Sequence, residues 1–263
     1  MRVAFTIVLN GLHHLQHNRF ALEMVHMFDY WVIVEGVAKN TGSTSWCAEL
    51  QKTDFPNGLS TDGTTQFLTN LEDGVFKKVK VIRCGPEGWA NKDEQVNAAI
   101  RAIKEKTNEA FLWQVDVDEQ WGRHQYPEAE NLLRMHNAKT GCFLCNCYVG
   151  PNQQARGDWG EGRKVPYRRL WDWKGEYFKT HEPPVLEGKN GPGVLLPTRF
   201  NHYSYFFEQD VLFKEKYYNY EGLHQRWLEV QKNNAIIPIK NLLGEKVWWG
   251  LSNTVIEKVD HVS

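Results

Sequence analysis

An α/β fold built on a mainly parallel sheet is what this sequence predicts, and three observations predict it. Apolar, β-favouring runs recur through the first half of the chain with helical patterns between them. The runs are mostly continuous rather than alternating, as expected of strands buried on both faces. Several of them close on a polar or acidic residue: Asn10, Glu35 and the pair Asp116 and Asp118. In parallel sheets ligands bind at the carboxyl ends of the strands, so these endings mark one expected site. The architecture they imply is a Rossmann-like three-layer α/β/α sandwich around a mainly parallel central sheet.

Taken in order, residues 3–9 form the first buried strand. Leu12, Leu15, Leu22 and Val25 then recur at helical spacing through a polar segment ending near Phe28. Tyr30–Glu35 is a second buried strand, closed by Gly36, and Lys78–Cys84 is a third, more alternating and so nearer an edge. From Asn91 to Lys106 the positions Val96, Ala99, Ile100 and Ile103 make a helical stripe. Asp93 and Glu94 in its first turn and Lys104 and Lys106 in its last suit the helix dipole. A fourth strand from Ala110 runs into Asp116-Val117-Asp118-Glu119, where period-two alternation puts Asp116 and Asp118 on one face. The second half reads as strands at Cys142–Val149, Val165–Trp173 and Arg199–Phe206, a loop at Glu182–Pro197, and helices at Gln209–Tyr218 and Leu223–Lys232.

Composition narrows the function classes. The 263 residues are enough for one substantial core, and a single domain over 1–263 is the expectation. A formal net charge of −1 and a pI near 6.8 argue against a nucleic-acid binder. No apolar run reaches the ~18 residues of a membrane span. The apolar part of the N-terminus is too short for a signal peptide, so a cytoplasmic location is expected. Five cysteines, an odd number, do not suggest a disulfide framework; Cys142, Cys145 and Cys147 read as small buried strand residues. Eleven tryptophans stand out, and an indole serves a core or a sugar ring equally well.

Two carboxylates held together in an apolar setting repel unless a cation joins them, and oxygen ligands suit Mg²⁺ or Mn²⁺. The Asp-Val-Asp-Glu ending, with Val3–Asn10, Val32–Glu35 and the helix bearing Asn97, resembles glycosyltransferases of the A-type fold, in particular family 2-type enzymes that build lipopolysaccharide cores and other surface glycans. The resemblance continues through Arg168-Arg169-Leu170-Trp171, Lys179-Thr180-His181-Glu182, His202-Tyr203-Ser204-Tyr205 and Lys214-Glu215-Lys216-Tyr217-Tyr218, and covers residues 2–220. The chain departs from that pattern after the second strand. Glu35-Gly36-Val37-Ala38-Lys39-Asn40-Thr41-Gly42-Ser43-Thr44 replaces the usual Ser-Gly-Ser and following Asp, which leaves the nucleotide base open.

The resemblance implies a metal-dependent transfer of sugar from a nucleotide-diphosphate donor to a glycan or small hydroxylated acceptor. Residues 1–120 would bind the nucleotide and 121–263 the acceptor. Asn10, Glu35, Asn97 and Asp116 are the expected nucleotide contacts, and Asp116, Asp118 and His202 the expected ligands of Mn²⁺ or Mg²⁺. His202 reads equally as a hydrogen-bonded histidine packed among Tyr203, Tyr205 and Phe206. Glu182 is the expected base for the acceptor hydroxyl, which makes the reaction a single inverting displacement; before Pro183-Pro184 it also reads as an ordinary loop residue. A sugar-1-phosphate nucleotidyltransferase is an alternative, but Gly11-Leu12-His13-His14 after the first strand lacks that class's Gly-rich, basic loop. A non-catalytic carbohydrate-binding protein would use the tryptophans and leave the acidic pair unexplained.

Overall fold

The computed structural model describes residues 1–50, 52–74, 77–159, 166–189, 191, 193–246 and 251–260. Its strands are β1 (Arg2–Val8), β2 (Tyr30–Glu35), β3 (Val79–Arg83), β4 (Ala110–Gln114), β5 (Glu119–Gln120), β6 (Thr140–Tyr148) and β7 (Gln153–Arg156). Then come β8 (Tyr167–Trp173), β9 (Phe178–Thr180), β10 (Val185–Leu186), β11 (Val194–His202), β12 (Ile237–Pro238) and β13 (Val255–Lys258). The helices are α1 (Leu12–Gln16), α2 (Phe20–Met27), α3 (Thr64–Asp73), α4 (Lys92–Lys104), α5 (Gln125–Met135), α6 (Glu208–Tyr217), α7 (Leu223–Lys232) and α8 (Lys240–Leu243). Among the described residues no helix is long and apolar enough to cross a membrane.

The chain divides into two compact units, each assembled from separated stretches. Unit 1 takes Met1–Val117, Arg123–Gly141 and Arg168–Val194; unit 2 takes Asp118–Gly122, Cys142–Tyr167 and Leu195–Ser263.

Unit 1 carries the expected α/β class. Its sheet runs β3-β2-β1-β4-β8, with β2–β3, β1–β2 and β1–β4 all parallel and β8 antiparallel to β4. Alternate residues of the strands serve two helical layers. Val3, Phe5, Val32, Val34 and Leu112 pack against Val96, Ala99, Ile100 and Ile103 of α4 in one buried cluster. On the other face Trp31 meets Phe20 of α2 with ring centroids 6.0 Å apart, and Trp113 meets Tyr126 of α5 at 5.0 Å. Burying each such Val, Leu or Ile side chain stabilises the fold by about 1.5–3 kcal/mol. The two buried indoles are satisfied: Trp31 donates to Thr6 Oγ1 at 2.9 Å and Trp113 to Glu130 at 3.0 Å.

Three local expectations are corrected. The helix expected to run on to Phe28 is broken between α1 and α2, because Asn18 and Arg19 adopt φ of 46° and 60°. Strand β4 ends at Gln114, so strand alternation does not reach the acidic pair; Val117 and Asp118 form a turn. The segment read as a loop up to Pro197 contains β10 and the start of β11, which ends at His202 rather than Phe206. Val165, the expected start of another strand, lies outside the described residues.

Unit 2 is built on antiparallel pairings: β6 with β7, β7 with β13, β13 with β12, and β5 with β11. Helix α7 is tied to it by the Trp227 indole, which donates to the Tyr205 carbonyl at 2.8 Å.

Candidate functional site

In unit 1, the carboxyl end of β4 leads into a cluster of charged groups. Asp116 accepts from Arg169 Nη2 at 2.9 Å through Oδ2 and from Gln114 Nε2 at 3.3 Å through Oδ1. Arg169 sits on β8 and is only 6 % exposed, so its guanidinium needs that carboxylate. Lys92 opens α4 directly after the N-cap Asn91, whose side chain accepts from the Glu94 N–H at 2.7 Å. Burial pulls the Lys92 ammonium down to about 8, against the attraction of Asp116. His181 is pulled down to about 4 by burial and by Lys92 and Arg169, with Asp116 and Asp93 opposing; its imidazole is neutral at pH 7. Its Nδ1 is buried without a hydrogen-bond partner. Glu182 is exposed as a residue, yet crowding around its carboxyl pushes the pKa up; Arg169 opposes this and Asp116 adds to it.

One helix holds this arrangement together. Asp93 of α4 accepts the Ser43 N–H at 3.2 Å, the Ser43 hydroxyl at 2.6 Å and the His181 N–H at 2.6 Å. Ser43 Oγ in turn accepts the Glu182 N–H at 3.3 Å. The approach of the Ser43 turn to Asp93 needs a glycine at position 42, where φ is +67° and a Cβ would lie 2.6 Å from Asp93 Oδ2. One turn further along α4, Asn97 donates to the Phe178 carbonyl at 2.9 Å and accepts its N–H at 2.8 Å. The cluster thus sets Arg169 and Lys92 against Asp116, Asp93 and Glu182 around a neutral imidazole. Such a set can receive a polyanion and take up a proton.

The other expected nucleotide contacts also face their own chain. Asn10, at φ 50°, donates its N–H to Ser60 Oγ at 3.0 Å and accepts from the Thr61 N–H at 2.8 Å. Glu35 is 0 % exposed and accepts from Arg83 at 3.1 Å, from the Thr65 hydroxyl and from the Ser60 N–H at 3.4 Å. Both residues fasten the loop before α3 to the strand ends, and Asn97 fastens β9 to α4.

Unit 2 carries Asp118 and His202. Asp118 Oδ2 stands 3.4 Å from His202 Nε2, and the Asp118 carbonyl accepts the Tyr203 N–H at 2.7 Å. Burial disfavours the imidazolium, but Asp118, with Tyr167 and Cys145, raises the His202 pKa well above its ordinary value. Ligands on adjacent positions of an octahedral ion at about 2.1 Å lie about 3 Å apart. The carboxylate oxygen and imidazole nitrogen at 3.4 Å are spaced for that geometry, but the raised pKa keeps the imidazole protonated and paired with Asp118, so His202 would ligate an ion only on giving up that proton. Asp116, the third expected ligand, is paired with Arg169 in unit 1.

Sequence reasoning stopped short of Lys92 and His181. Lys92 carried a usable signal, a lysine at the first position of a helix capped by asparagine. His181 was in view beside Glu182, but nothing in sequence spacing announces that burial keeps it neutral.

No known family profile matches the sequence, and no curated protein matches it. Among solved structures, the chain is similar to Staphylococcus aureus TarS residues 1–349 at 11 % identity and a TM-score of 0.43, over 87 % of this chain and 69 % of that one. The same TarS residues in complex with UDP-GlcNAc give 11 % identity and a TM-score of 0.40 over 89 % and 72 %. Francisella tularensis 2-C-methyl-D-erythritol 4-phosphate cytidylyltransferase gives 9 % and 0.35 over 89 % and 80 %. At such scores the likeness carries neither substrate nor reaction across.

Proposed function

We propose that this protein is a glycosyltransferase that moves a sugar from a nucleotide-diphosphate donor to a hydroxyl acceptor with inversion. One observation carries the reading: Glu182, a carboxyl whose pKa is raised, stands in the same cluster as the cations Arg169 and Lys92, beyond the carboxyl end of β4. A base is most useful when its pKa approaches the working pH, and crowding moves Glu182 in that direction. Arg169 and Lys92 supply positive charge for a diphosphate, whose negative charge grows as the glycosidic bond breaks. Glu182 takes the acceptor proton as the hydroxyl attacks. Neutral His181 accepts or donates a hydrogen bond there without repelling either cation.

A divalent ion, Mn²⁺ or Mg²⁺, would take Asp118 as its carboxylate ligand in unit 2, with His202 joining only once its proton is displaced; such an ion supplies Lewis-acid stabilisation to phosphate oxygens. Asn10 and Glu35 contribute by fixing the loop before α3 rather than by charge.

The test is a thermal-shift panel of UDP, GDP and dTDP, each with Mn²⁺, with Mg²⁺ and with EDTA. A ligand at a hundredfold its Kd adds about 2.7 kcal/mol of stability. Stabilisation by one nucleoside diphosphate with the ion present is the expected result. No stabilisation by any of them overturns the reading, and equal stabilisation in EDTA removes the metal from it.

A further inference from the structure

We propose that Trp46 is a stacking platform for a pyranose ring, so that the acceptor is itself a sugar; this rests on the reading of Glu182 as the acceptor's base. Trp46 is 57 % exposed, whereas every other described tryptophan is buried except Trp89. Trp89 is half-buried and gives its indole N–H to the Glu35 carbonyl at 3.0 Å. A core needs its indoles inside; this one presents more than half its surface to water.

Its position gives that exposure a use. The turn that carries Trp46 is wound by Ser45 N–H to Gly42 carbonyl at 3.3 Å and Cys47 N–H to Thr44 carbonyl at 3.0 Å. Thr44 and Cys47 are buried and anchor the turn, while Ser45 and Trp46 face out. The same turn holds Ser43, whose Oγ accepts the Glu182 N–H at 3.3 Å. The backbone of Glu182 is thus tied to Ser43, three residues before Trp46, so a pyranose laid with its C–H face on the indole would be held by the turn that also holds the base's peptide. A small aliphatic alcohol has no flat apolar face and gains nothing from the indole.

The experiment is saturation-transfer NMR with methyl glycosides of glucose, galactose, mannose and N-acetylglucosamine, and with glycerol as a control. Wild type, Trp46→Ala and Trp46→Phe are compared, with melting temperature confirming that all three are folded. At least one glycoside is expected to bind wild type, to bind Trp46→Ala about tenfold more weakly, and to be largely restored by Trp46→Phe, since a ring face survives. Equal binding to Trp46→Ala, binding of no glycoside, or binding of glycerol as strong as any glycoside overturns the proposal. The nucleotide panel separates the two readings. Trp46-dependent glycoside binding without nucleotide binding keeps the sugar site and removes the transferase. Nucleotide binding with glycoside binding indifferent to Trp46 does the reverse.

Discussion

Ser43 gives both of its donors to Asp93, the N–H at 3.2 Å and the hydroxyl at 2.6 Å, and its Oγ accepts the Glu182 N–H at 3.3 Å. The peptide carrying the proposed base is therefore held from α4 through a serine. Ser43→Ala removes two of these links at once. It is expected to cost about 0.5–1.5 kcal/mol per lost bond in unfolding free energy and to lower kcat while leaving nucleotide affinity near wild type. Denaturant melts and steady-state rates on the same preparation check this; an unchanged kcat would free Glu182 from the serine.

Glu182→Gln keeps volume and removes the base. Turnover should fall by about 10²–10⁴-fold with nucleotide affinity retained. Because crowding raises the carboxyl's pKa, wild-type kcat/KM should climb with pH along an acid limb lying above the ordinary carboxylate range. Glu182→Gln should lack that limb. A retained anomeric configuration in the product, read by NMR, would dispose of the base.

His181 links pH to stability. Its pKa is lowered to about 4 in the folded chain, so on acidification the unfolded chain takes up its proton first, near the ordinary value of 6.5. Stability is therefore full above about pH 6.5 and falls as pH drops towards 4, by about 1–3 kcal/mol for this group. His181→Gln should flatten the pH dependence of unfolding over that window. Identical slopes in the two proteins would show that the imidazole is not buried neutral.

Asp118→Asn tests the proposed ion site, since the amide matches the carboxylate in volume but carries no charge. The variant should melt like wild type in EDTA and lose the Mn²⁺-dependent part of the nucleotide stabilisation. Full retention of that part would place the ion elsewhere.

Much of unit 1 is legible in the sequence for a definite reason. Strands buried on both faces must be apolar throughout, so β1 and β2 announce themselves as unbroken runs, and α4 shows both its stripe and its asparagine cap. The acidic pair is where that logic fails. Alternation holds only while the ladder holds, and β4 stops at Gln114, two residues before Asp116. Beyond that point the side chains are set by partners distant in sequence, Arg169 for Asp116 and His202 for Asp118. Helices α3 and α5 are not legible in the sequence because their stripes are short and interrupted by polar residues. Glu35 shows the limit of reading a site from strand ends: a carboxylate there serves an arginine on the neighbouring strand as readily as a ligand.

The paired bonds between Asn97 and Phe178 carry a further consequence. Asp93 and Asn97 are one helical turn apart on the same face of α4, and they grip the chain at His181 and Phe178, three residues apart in a nearly extended stretch. The helix works as a jig: Lys92 at its tip and Glu182 beside it are set by one rigid part. Just beyond Leu186 the chain backs the same stretch: the Glu187 N–H bonds the Tyr177 carbonyl at 2.9 Å and Lys189 pairs with Glu176 at 2.6 Å. A change in α4 at Asp93 or Asn97 would therefore move the cation and the base together, because both are referred to the same helix.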